Sequence, residues 1–286
     1  MTSRVALAAL TLAGVAFAMP ASADPFAFSN GNVNDLMAAA SRPDAGGQFE
    51  IEAADDFVLA NRTLISGAGF VGLLPAGASV SQVVVEIYRV FPKDSNTVRT
   101  IEVPTRANSP SDVAFDSRDS AGASLAFTTA TLASSFTASN SVQPGGIHPL
   151  PGQTTGGNGA VTGNEVAFDV TFTTPFDLPA DHYFFIPQVA ISGAEGSFMW
   201  LSSARPIVPP GTPFAPDLQA WTRDAALDPD WLRVGTDIVG GAPAPTFNLA
   251  FTLSGETVAA VPEPESWALM LAGMAALGAL RRSRRR

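Results

Sequence analysis

The sequence predicts an all-β protein, an antiparallel β-sandwich of jelly-roll-like type, set between two ends that lie outside the fold. Three features predict it. Apolar and polar residues alternate at period two through much of the interior, the pattern of strands with one face on a core and the other in water. The segments between these runs are rich in Gly, Pro, Ser and Asp, with 25 Gly and 23 Pro in 286 residues, and read as turns. No amphipathic helix of more than two turns interrupts them, so helices are expected to take no share of the core.

Taken in chain order, Met1 to Arg4 gives a short positive start. Residues 5–18 (VALAALTLAGVAFA) form an unbroken apolar run of signal-peptide length. Ala21-Ser22-Ala23 then supplies a small-x-small site, so residues 1–23 are expected to be a signal peptide cut after Ala23 by signal peptidase. Residues 24–45 (DPFAFSNGNVNDLMAAASRPDA) read as a surface leader with one short helical turn around Leu36 to Ala40. The sandwich domain is expected over 46–256. Its clearest strand runs from Val166 to Leu178: Val166, Phe168, Val170, Phe172, Phe176 and Leu178 share one face, and Ala167, Asp169, Thr171, Thr173 and Asp177 the other. Phe247, Leu249, Phe251 and Leu253 alternate with Asn248, Ala250, Thr252 and Ser254 in the same way. Further strands are expected at Phe57 to Leu59, Leu64 to Leu73, Leu125 to Thr128, His182 to Ile191, Ser197 to Leu201, Ala220 to Arg223 and Trp231 to Val234. Val80 to Phe91 carries valines on both faces and reads as a central strand. The Gly- and Pro-rich stretch 139–164 is a long loop, a length that usually means function or disorder.

Charge and composition exclude several classes. Of 16 Lys and Arg, six lie in the ends (Arg4, Arg281, Arg282, Arg284, Arg285, Arg286), and of 26 Asp and Glu only Glu263 and Glu265 do. The interior therefore holds 10 basic and 24 acidic residues, a net charge of −14, with Lys93 its only lysine. Such a surface repels nucleic acid. The absence of cysteine removes thiol catalysis, iron–sulfur clusters and thiolate zinc sites. Two histidines, His148 and His182, are too few for a histidine-ligated catalytic zinc, and no G-x-S-x-G elbow accompanies them. His182, after Asp181, reads as a polar turn residue. Glu86, on the central strand, would be costly to bury without a task and is expected to face solvent. No enzyme activity is expected.

Two weaker chemistries stay open. Asp112, Asp116 and Asp119 (SPSDVAFDSRD), with Asp55 and Asp56, place hard oxygen ligands on expected loops and are the candidates for calcium, although no D-x-D-x-D-G loop is present. Trp221 and Trp231, in polar stretches (LQAWTRD, DPDWLRV), are candidate stacking surfaces for a sugar ring, whereas Trp200 (SFMWLS) reads as core.

The linker and tail, 257–286, carry the strongest motif. Val261-Pro262-Glu263-Pro264 cannot enter a helix and is expected to be extended. A short apolar membrane helix is expected over 267–280, with Trp267 at one interface and Arg281 and Arg282 at the other, opening the basic end 281–286. The arginines set the positive-inside orientation, leaving the body outside. This order, Pro-Glu-Pro, short helix, arginine cluster, resembles the PEP-CTERM sorting signal of Gram-negative bacteria. The resemblance implies recognition of Pro262, Glu263 and Pro264 by an exosortase-type transpeptidase, after an inner-membrane precursor, in bacteria that make exopolysaccharide or biofilm. More loosely, DHYFFIPQV, FMWLSS and FNLAFTLSG resemble the back half of secreted β-sandwich modules of carbohydrate-binding type. The function expected is a sorted surface or matrix protein, structural or adhesive and associated with exopolysaccharide. The alternatives are a carbohydrate-binding module with a defined glycan site and, third, a secreted hydrolase.

Overall fold

The computed structural model describes residues 23–91, 107–148, 153–207, 217–227, 230–258, 273–274 and 281–283. The chain divides into a unit of Asp24–Val258 and a second unit of Met1–Ala23 with Ala259–Arg286. In chain order the first unit contains strands β1 (Asp24–Ser29), β2 (Val33–Ala40), β3 (Ile51–Leu59), β4 (Thr63–Leu74) and β5 (Ser79–Phe91). Short strands β6 (Ser109–Pro110) and β7 (Asp116–Asp119) follow, then β8 (Leu125–Ala138), β9 (Asn140–Val142) and the longest, β10 (Val161–Leu178). The last third holds β11 (Asp181–Ser192), β12 (Met199–Ser203), β13 (Trp221–Asp224), β14 (Leu232–Arg233) and β15 (Phe251–Thr257). A π-helical turn at Val234–Val239 follows β14.

The strands form two sheets. Sheet one runs β1-β15-β4-β12-β2-β9, with β10 on the other side of β4 and β8 beyond it; sheet two runs β14-β13-β3-β11-β5-β6, with β7 also on β5. Every pairing is antiparallel except β2 with β9. Their inner faces meet through aromatic rings. From sheet one, Phe70 stacks on Phe168 at 4.6 Å and approaches Phe185 of sheet two at 6.3 Å. Phe185 in turn stacks on Phe251 at 4.9 Å and meets Trp200 edge-on at 5.9 Å. Each such ring removes some 150–250 Å² from water, which makes this layer the main source of stability.

The alternation read in Val166 to Leu178 holds: all six predicted inward residues are buried, while Asp169, Thr171, Thr173 and Asp177 are exposed. The register against β4 shifts between Thr171 and Phe176, at Pro175, which has no N–H for the ladder. β11 is buried on both faces because a second apolar layer covers the outer face of sheet two. There Ala54, Tyr88, Val90, Phe184, Ile186, Leu218, Trp221 and Trp231 form their own cluster. β5 is flanked on both sides, by β11 and by β6 and β7, as its valines predict.

Three expectations need correction. Residues 24–45 are not a leader with a helical turn: they supply β1 and β2, and Met37–Ala40 are buried. Alanine favours helices in isolation, but here its small side chain lets β2 lie opposite the bulky β12, with Ala39 in register with Trp200. The expected strand over 247–254 begins only at Phe251, and Asn248, assigned to the solvent face, is buried with its amide donating to Asp217 at 3.1 Å. The loop 139–164 is largely built. The Asn140 side chain donates to the Gly156 carbonyl at 2.7 Å and accepts from Gly159 N–H at 3.0 Å, while Asn158 Oδ1 accepts from Gln143 N–H at 2.9 Å. Glycines with positive φ at 156, 157 and 159 allow that path.

Candidate functional site

The outer face of sheet two brings together charges from distant parts of the chain. Glu52, near the start of β3, lies in register with Arg223 of β13, and the guanidinium donates to its Oε2. Glu50 precedes the strand by one residue, and two residues along an extended chain return a side chain to the same face. Glu86 and Tyr88 occupy that face of β5, and Gln188 that face of β11. One carboxylate oxygen from each of Glu50, Glu52 and Glu86 lies within 4.8 Å of the others. Around them, the Gln188 amide donates to Glu50 Oε1 at 2.8 Å, and Arg223 Nη2 donates to Tyr88 Oη at 2.9 Å. Tyr88 Oη reaches Glu86 Oε2 at 3.4 Å, and Trp231 holds the guanidinium against its ring at 4.4 Å.

The cluster sits where sheet two splits. β3 pairs with β11 only as far as Asp55, and beyond it the Ser41 segment fits between them, its carbonyl accepting from Val189 N–H and its hydroxyl donating to the Pro187 carbonyl. A pocket of about 180 Å³ lined by Asp44, Phe49, Glu50, Glu52 and Asp224 opens there. Glu86 is half-buried rather than solvent-facing. Burial, and then the Glu52 and Glu50 charges, push its carboxyl up to about 8. Tyr88 is raised as well, by burial first and Glu52 second.

A second polar group lies deeper. Asp55 and Asp56 are not loop ligands but interior strand residues. Asp55 Oδ2 accepts from Asn30 Nδ2 and from Leu249 N–H, both at 2.5 Å. Asp56 accepts from Leu218 N–H at 2.8 Å and lies 2.6 Å from His182 Nε2. Burial raises both carboxyls, that of Asp55 well above the usual range. His182, expected in a polar turn, is only 1% exposed and sits inside β11. These bonds fasten the 217–218 and 248–249 segments to β3, which gives them a structural task.

The remaining predicted residues do not converge. Asp116 and Asp119 both lie on β7, three positions apart, an odd spacing that turns them to opposite faces of the strand. Asp116 is held by Arg118 at 2.6 Å and Asp119 by Gln82 at 3.0 Å. Among the described residues, the three glutamates are the group of acidic side chains whose oxygens converge. Trp221 and Trp231 are 2% and 0% exposed. They close the outer apolar layer, Trp231 edge-on to Tyr88 at 5.6 Å, so neither offers a face to a sugar. Of their polar neighbours in sequence, Arg223 and Asp224 line the cluster and its pocket and Arg233 pairs with Asp237, which is why local polarity misled.

Residues 260–286 match the family model of the PEP-CTERM protein-sorting motif. The chain carries a PEP-CTERM sorting domain. No curated protein and no solved structure matches it. The PEP-CTERM motif is the signal read by an exosortase, and it marks an exported, membrane-anchored precursor of a Gram-negative bacterium. Within it, Val261, Pro262, Glu263, Pro264 and Trp267 lie outside the described residues, as does Ala21 of the small-x-small site, while Ala23 is described and exposed. Arg281 and Arg282 are exposed and helical. Among the described residues no helix is long and apolar enough to cross a membrane. In the PEP-CTERM chain's body, the site residues that sequence reading missed are Glu50, Glu52, Gln188 and Arg223. The only local signal was the spacing of Glu50 and Glu52 in FEIEA, two acids on one face of a strand.

Proposed function

We propose that this PEP-CTERM chain is a non-enzymatic protein of the cell surface or extracellular matrix, structural or adhesive, associated with exopolysaccharide. The observation that carries the reading is the sorting motif at 260–286 following a compact β-sandwich body. The fold's limits support the two expected processing steps. β1 begins at Asp24, directly after the Ala21-Ser22-Ala23 site, and Asp24 pairs with Thr257, the last residue of β15. Removal of a signal peptide at Ala23 and of the tail beyond the motif would leave the core whole. Frequent passage of the chain between the two sheets, at β3–β4, β4–β5, β10–β11 and β11–β12, supports the jelly-roll-like winding. A signal peptide over 1–23 and a membrane helix over 267–280 complete the reading, with the arginines on the cytoplasmic side until an exosortase acts.

The glycan-site alternative loses its tryptophans to the core. What remains for it is an open groove of about 460 Å³ on the outer face of sheet one, with Val71, Ala167 and Leu132 beside Asn32, Glu165 and Thr252. Its aromatic residues Phe70, Phe168 and Phe251 are buried, so no ring faces a ligand. That favours broad surface association over a ring-stacking site. Intact mass of the protein from the surface fraction of its host tests the reading: the expected species starts at Asp24 and lacks the arginines. A surface species still ending at Arg286 overturns sorting by cleavage. Failure of the processed protein to pellet with host exopolysaccharide overturns the matrix association.

A further inference from the structure

We infer that Glu50, Glu52 and Glu86, with the Gln188 side chain, form a binding site for a divalent cation of the calcium class on the outer face of sheet two. Three acidic side chains in proximity do not by themselves make such a site; two independent features here do. The first is geometry. Calcium binds oxygens at about 2.3–2.6 Å, so two ligands on opposite sides of one ion stand about 4.6–5.2 Å apart. The three carboxylate oxygens lie within 4.8 Å of one another, inside that span. Magnesium, with bonds of about 2.0–2.1 Å and strict octahedral demands, needs a tighter set and gives up its water reluctantly.

The second is a set of buried acceptors without partners. Gln188 is fully buried and its amide nitrogen is spent on Glu50, which aims the side chain into the cluster, yet its Oε1 receives no hydrogen bond. Glu52 is 2% exposed, its Oε2 is taken by Arg223, and its Oε1 is likewise without a donor. A buried oxygen left unsatisfied is unfavourable, and these two, both hard donors, call for a cation to accept their lone pairs. Arg223 is the guanidinium within the cluster, and it is committed to Glu52, the Asp112 carbonyl and Tyr88. The site is also reachable: Glu50 and Glu86 keep partial exposure, and the adjoining pocket adds Asp44 and Asp224 at its mouth. Six to eight oxygens are then supplied by three carboxylates, the amide and water. An ion there would tie β3, β5 and β11 together across the split in sheet two, and β13 through Arg223.

Terbium, which takes calcium's place and emits when excited through a nearby aromatic ring, reads the site directly, since Tyr88 touches Glu86 and Trp231 touches Tyr88. The full chain in non-ionic detergent should show saturable terbium emission that calcium displaces and equal magnesium displaces about tenfold less well. Glu50→Gln and Glu86→Gln should each weaken calcium binding by about tenfold or more. Both should keep the far-ultraviolet circular dichroism of the natural chain and melt no lower without metal, because each replaces a carboxyl group crowded by others with a neutral amide. No saturable binding by a natively folded chain overturns the site and leaves a carboxyl–carboxylate pair sharing a proton. Binding that survives the Glu50→Gln, Glu86→Gln double substitution assigns the ion elsewhere on the acidic surface and overturns it equally.

Discussion

Glu86 and Asp55 show how differently two buried carboxyl groups serve one fold. Asp55 is surrounded by donors: Asn30, Leu249 N–H and Asp56 N–H at 3.0 Å. Asp55→Ala strands those donors in the interior and is expected to lower stability by about 2–4 kcal/mol, read as a shift in urea midpoint without change of slope. Glu86 is crowded by carboxylates, Glu50 and Glu52 from the β3 side, with Gln188 on β11, Ser117 opposite it on β7 and Asp119 beyond. Among the described residues, Arg223 and the Tyr88 hydroxyl offset them. With the carboxyl at about 8 in the folded chain against about 4.3 unfolded, the native state holds the proton longer. Its stabilising contribution is complete below about pH 4.3 and is lost as the pH rises through about 8. The melting temperature of the metal-free chain should therefore fall between pH 5 and 9, and Glu86→Gln should remove most of that slope. An unchanged slope in the variant would place the titrating group elsewhere.

At the scale of elements, what sequence made legible was set by how strictly one face of a strand is buried. β10 could be read residue by residue over 166–172 because there every second side chain enters the core and the others are open to water. β2 could not, because Met37–Ala40 are buried on both faces and a run of small apolar residues has no period to read. β8 was seen only at its start: of 14 residues, few are buried, so its Thr, Ala and Ser show no inward stripe. The same rule explains the glycines of β4. Gly72 looks like a flexible point in sequence, yet a Cβ there would stand 2.1 Å from the Phe198 ring and 2.6 Å from the Met199 carbonyl. Close passage of β12 and the Phe198 side chain over β4 requires it. Gly72→Ala is expected to cost about 1–3 kcal/mol, measured by thermal or urea unfolding, through overpacking rather than through backbone conformation. A neutral result would mean that β12 can move away from β4 without loss.

For the whole molecule, the candidate site was illegible for a reason that no local pattern repairs: Glu52 and Arg223 are 171 residues apart and meet only because β13 pairs with β3. The tail, by contrast, is a linear signal, and its motif was readable in full. That topology also sets how the body comes apart. Neighbouring residues of one strand serve different layers, Phe185 the core between the sheets and Phe184 the outer cluster, and Ala53 and Ala54 of β3 divide likewise. Lifting the 217–234 segment off sheet two would expose Trp221, Trp231 and the outer face of β11 at Phe184 and Ile186. At roughly 25 cal/mol per Å², each ring of about 150–250 Å² would cost about 4–6 kcal/mol, comparable with the entire stability of an ordinary domain. The outer layer therefore cannot open alone, and Asp24–Val258 should unfold in one calorimetric transition with matching calorimetric and van't Hoff enthalpies. Phe185→Ala and Trp231→Ala, one in each layer, should each lower that single transition, by about 3–5 kcal/mol. If Trp231→Ala instead splits off an earlier transition, the outer cluster is a separate cooperative unit and the shared strand does not couple the two layers.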